Sequence, residues 1–104
     1  MFKNQDFSDV KGLALEFCLG ISIATEKKPN RYLNIAKDRF TELISNLGGP
    51  ECSNSFTAII GLWAIREDVV LGVEEFERTF GKRPECLERL LEEMEKMYKS
   101  LFRM

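Results

Sequence analysis

The sequence predicts an all-α fold: a four-helix up-down-up-down bundle whose third helix is long. Three observations carry that expectation. Apolar residues return every three or four positions in four separate segments, the beat of a helix with one buried face. No segment alternates apolar and polar residues over strand length, and no Asn-Gly hairpin signal occurs. Three clusters divide the chain: Lys27-Lys28-Pro29-Asn30, Gly48-Gly49-Pro50 and Gly81-Lys82-Arg83-Pro84. Each fits one helix stopping at glycine and the next starting at proline.

The first helix is expected over about Ser8 to Thr25, capped by Asp6 or Ser8. One face carries Val10, Leu13, Ala14, Phe17, Ile21 and Ala24, and Leu15, Cys18, Leu19 and Ile23 widen the apolar arc. An arc that wide belongs to a central helix or to a subunit interface. The second helix is expected from Pro29 or Arg31 to Leu47, on the stripe Leu33, Ala36, Phe40, Leu43, Ile44 and Leu47, with Gly48 as its left-handed terminator. The third runs from about Glu51 to Phe80, which as one rod is roughly 45 Å long. No Pro or Gly stands at 66–69, so one continuous helix is expected; a break near Glu67 and Asp68 would instead give a five-helix hairpin array. The fourth runs from Pro84 to near Met104 on the stripe Leu87, Leu90, Leu91, Met94, Met97, Tyr98 and Leu101. Glu92–Lys96 and Glu95–Lys99 stand at the favourable i,i+4 spacing on its polar face.

Pro50-Glu51-Cys52 recurs as Pro84-Glu85-Cys86, 34 residues on. That is the period of tetratricopeptide hairpins. The segment from Ser53 to Pro84 partly resembles one such unit through Phe56, Ile59, Trp63, Gly72, Phe76, Thr79 and Pro84. It departs from the pattern at Ile60, where a small residue is usual, and in having no glycine at the turn. The resemblance implies two antiparallel helices that bring Cys52 and Cys86 to the same end. The plainer reading is that Pro-Glu starts helices well, since proline there loses no needed donor and glutamate suits the dipole.

The chain has 104 residues, enough for one domain over 1–104, with 44% apolar and 31% charged residues and a net charge of −2. This is not the composition of a disordered or membrane-spanning chain. Histidine is absent, so His general bases, His triads and His-ligated metal sites are excluded. A dedicated duplex-DNA binder is usually basic, which this chain is not. The three cysteines, an odd number with no Cys-x-x-Cys pair, read as reduced thiols in a cytoplasmic protein, and Met1 to Asp9 is unlike a signal peptide.

Four groups of side chains stand out as candidate sites. Lys27, Lys28 and Arg31, with Lys82 and Arg83, would share one end of a bundle and form a basic rim for nucleic-acid phosphate or an acidic partner. Met94, Met97, Leu101 and Phe102, with Met104 beyond them, offer an adaptable apolar surface for a partner. Glu74/Glu77, Glu85/Glu88 and Glu92/Glu95 have the spacing with which all-helical nucleotide pyrophosphatases hold magnesium, but the matching Glu-x-x-Asp is missing. Cys52 and Cys86 fall in expected first helical turns, where a thiol pKa is lowered, although no histidine is present to activate them. Phe17, Phe40, Phe56, Trp63, Phe76 and Phe80 lie on apolar stripes and read as core.

The expected function is non-enzymatic: a protein-binding or small assembly subunit, self-association included, without cofactor or membrane. The alternative is a helical subunit of a nucleoprotein complex using the basic rim. A carboxylate-based magnesium enzyme comes third.

Overall fold

The computed structural model describes residues 4–102, with side chains described over 7–101. Five α-helices follow one another: α1 (Asn4–Ala24), α2 (Arg31–Asn46), α3 (Ser55–Trp63), α4 (Arg66–Phe80) and α5 (Glu85–Lys99), closed by a 3-10 turn over Ser100–Phe102. No strand occurs among the described residues, and no helix there is long and apolar enough to cross a membrane.

The helix ends follow local chemistry. Asn30 caps α2 by accepting from the Leu33 N–H at 3.1 Å, and Asn54 caps α3 by accepting from the Thr57 N–H at 2.8 Å. Gly48 and Gly81 take positive φ of 84° and 80°, the left-handed turn that ends α2 and α4. Pro50-Glu51-Cys52 does not start a helix, as its repetition suggested. It forms a turn, in which the Gly48 N–H donates to the Cys52 carbonyl at 2.9 Å and Cys52 is buried. The Asn54 carboxamide then supplies the cap, so α3 begins at Ser55. Pro84, in contrast, directly precedes α5, whose first turn carries Glu85 and Glu88. On the polar face of α5 Glu95 pairs with Lys99 at 3.9 Å, whereas Lys96 pairs with Glu93 rather than Glu92.

The long third helical region is present but bent. α3 and α4 join through Ala64 and Ile65, both in right-handed helical conformation. At the joint the Ile65 N–H reaches back only three residues, to Leu62 at 3.2 Å, which tightens the turn. The bend lies before Arg66, not at Glu67 and Asp68, and the chain does not double back. Leu43 meets Gly61, Arg39 meets Asp68 and Leu33 meets Gly72, so α2 runs antiparallel to the whole of α3 and α4. The hairpin that the tetratricopeptide resemblance implies is therefore not formed.

The other neighbours are antiparallel too. Phe17 of α1 stacks on Phe40 of α2 with ring centroids 4.6 Å apart, Gly20 of α1 faces Leu87 of α5, and Trp63 stacks on Tyr98 at 4.0 Å. The result is an up-down-up-down bundle. α3 swings across one end to touch α1, α2 and α5, while α4 lies on α2 and α5. The bend solves the overhang of a rod longer than its neighbours by folding its first third over the end of the bundle.

The core joins Val10, Phe17 and Ile21 of α1 to Leu33 and Phe40 of α2, Leu62, Ile65, Val69 and Val73 of the bent helix, and Leu87, Leu90 and Met94 of α5. Met94, a candidate for partner binding, is thus inside: its place on the α5 stripe turns it toward the other helices. Phe56 and Phe80, expected inside, are instead exposed. Phe56 stands in the first turn of α3 at the edge of the buried stripe of Ser55, Ala58, Ile59 and Leu62, toward exposed Ile60, and Phe80 sits in the last turn of α4, past the reach of the core.

Candidate interaction surface

α1 buries Val10, Leu13, Ala14, Phe17 and Ile21. Its other side carries Leu15, Leu19 and Ile23, four residues apart and therefore in one row along the helix. Their exposures are 49%, 64% and 64%. Single exposed leucines are ordinary, whereas a continuous row on one helix is not.

The row leads into a groove of about 800 Å³ between the end of α1, the end of α4 and the start of α5. Ile23 and Phe80, both exposed, line it together with Gly20, Phe76 and Leu87. Gly20 sets its depth. A Cβ there would lie 3.0 Å from Leu87 Cδ2 and 3.4 Å from Cys86 Sγ, so the glycine eases the close approach of α5 to α1, and a methyl group would make those two side chains give way slightly. At the other end of the same seam the helices part. A Cβ on Gly12 would meet nothing within 4 Å, and a cleft of about 500 Å³ opens there, lined by Asp9, Glu16, Arg89 and Glu93 among others.

The fold brings part of the basic rim together. Lys27, Lys82 and Arg83 line the apolar groove. Glu26, Glu85 and Glu88 line it as well, and Arg83 is held by Glu88 at 2.6 Å and by Glu77 at 3.3 Å. Lys28 is exposed beside them, and the Arg31 guanidinium lies 5.4 Å from the Tyr32 ring centroid. The rim is therefore a mixed field rather than a uniformly positive one. Of the other apolar candidates, Met97 of α5 and Leu101 of the 3-10 turn are half-buried against the core, and the Phe102 side chain and Met104 lie outside the described residues.

The other constellations do not converge. No group of three or more cysteines and carboxylates suited to a metal ion occurs among the described residues. Glu77 and Glu88 meet at Arg83, and Glu75 pairs with Arg78 at 3.1 Å. Cys86 is exposed beside Gly20, whereas Cys52 is buried in the turn after α2, at the opposite end of the bundle. Burial pushes the Cys52 thiol above its usual pKa, the reverse of activation.

Two features escaped the sequence reading. Asn30, buried, spans two helices: its Oδ1 caps α2 while its Nδ2 donates to the Gly72 carbonyl of α4 at 2.9 Å. The role of Gly20 also went unread, although an isolated glycine inside an apolar helical run signals close packing. No family model, curated protein or solved structure matches the chain.

Proposed function

We propose that the protein is a non-enzymatic protein-interaction module whose docking surface is the outward row of α1 with the groove beside it. The observation that carries this reading is the exposure of Leu15, Leu19 and Ile23 in a single row. A wholly buried Leu or Ile contributes roughly 1.5–3 kcal/mol, so at these exposures the row offers about 3–5 kcal/mol to whatever covers it. Phe80 extends the same surface into the groove. The three free thiols fit a reducing, cytoplasmic setting.

The test is the pair Leu19→Glu and Ile23→Glu. Both side chains point to solvent, so helical circular dichroism and Tm stay close to the parent's. The mass measured by light scattering, or the yield of a partner co-purified from the native source, falls. An unchanged complex in the double variant removes the reading.

A nucleoprotein role is the second reading, favoured by Lys27, Lys82 and Arg83 converging on one groove. It calls for RNA or DNA binding that falls steeply with salt and is lost in Lys27→Glu/Lys28→Glu. A flat filter-binding curve at low salt ends it.

A further inference from the structure

We draw no further inference here: the strongest candidate, the exposed Leu15, Leu19 and Ile23 row of α1 with the groove between the ends of α1 and α4 and the start of α5, carries acidic and basic side chains together at both ends of its seam and exposed Lys11 in the row itself, so nothing in the structure shows what covers it.

Discussion

Asn30 shows how one side chain can join two helices. Its carboxamide both ends the unpaired state of an α2 N–H and ties α2 to α4 through the Gly72 carbonyl, away from water. Removing it leaves buried backbone groups unsatisfied. Asn30→Ala is therefore expected to cost about 1–3 kcal/mol in chemical denaturation, whereas Asn54→Ala, at an exposed cap, costs about 1 kcal/mol. Gly72 is its counterpart. A Cβ there would lie 2.4 Å from Leu33 Cδ2 and 3.1 Å from the Leu33 backbone nitrogen, so Gly72→Ala pushes α4 off α2 and costs about 1–3 kcal/mol despite alanine's better helix propensity. Cys52 gives a pH signature. Its folded pKa is raised above the usual 9.0 by burial. The folded protein then holds the thiol proton more tightly than the unfolded chain, so this contribution is fully present below about pH 9 and is lost as pH rises toward the folded value. A urea titration series should show that alkaline loss in the wild type and a smaller one in Cys52→Ala. Ellman's reagent should label exposed Cys86 well before Cys52.

At the scale of elements, α1 and the bent α3–α4 pair carry the lessons. The bend at Ala64–Ile65 has no proline or glycine to announce it. It arises because α3 packs across α1 and α5 while α4 continues along α2. Ile65 anchors the joint from inside the core, so Ile65→Ala is expected to cost about 2–4 kcal/mol. The ion pair Arg39–Asp68 spans α2 and α4 at 2.7 Å, but the Arg39 side chain is 44% exposed. Asp68→Ala should therefore change stability by less than about 1 kcal/mol. A double comparison of these two variants by thermal melts separates packing from surface charge as the force that holds α4 in place. The stripe Val10, Leu13, Ala14, Phe17 and Ile21 read from the first helix is the face it buries. Apolar residues surround that helix, so periodicity alone did not say whether Leu15, Leu19 and Ile23 are covered as well.

At the scale of the molecule, the Cα extents are 42 × 26 × 17 Å. Helices pack 8–10 Å apart, so the short axis holds about two layers and every helix keeps one face in water. That geometry, rather than an excess of apolar residues alone, leaves the α1 row uncovered. Among the described residues the ion pairs all involve partly exposed partners, so Tm is expected to move little between low and moderate salt. Four helical stretches, their polar and apolar faces and most of their ends are legible along the chain, because propensity, capping and the three-to-four-residue beat are local properties. So is the placing of the Lys27 and Lys82 loops at one end of the bundle, since antiparallel order follows from short connections. The packing of the helices settles the rest: Met94 is inside, Phe56 and Phe80 are outside, Asn30 binds Gly72, and Leu15, Leu19 and Ile23 face water. Those outcomes depend on how each helix is turned against its neighbours. That rotation is set by contacts between residues far apart in the chain, such as Gly20 with Leu87 and Gly72 with Leu33, and no local pattern encodes it.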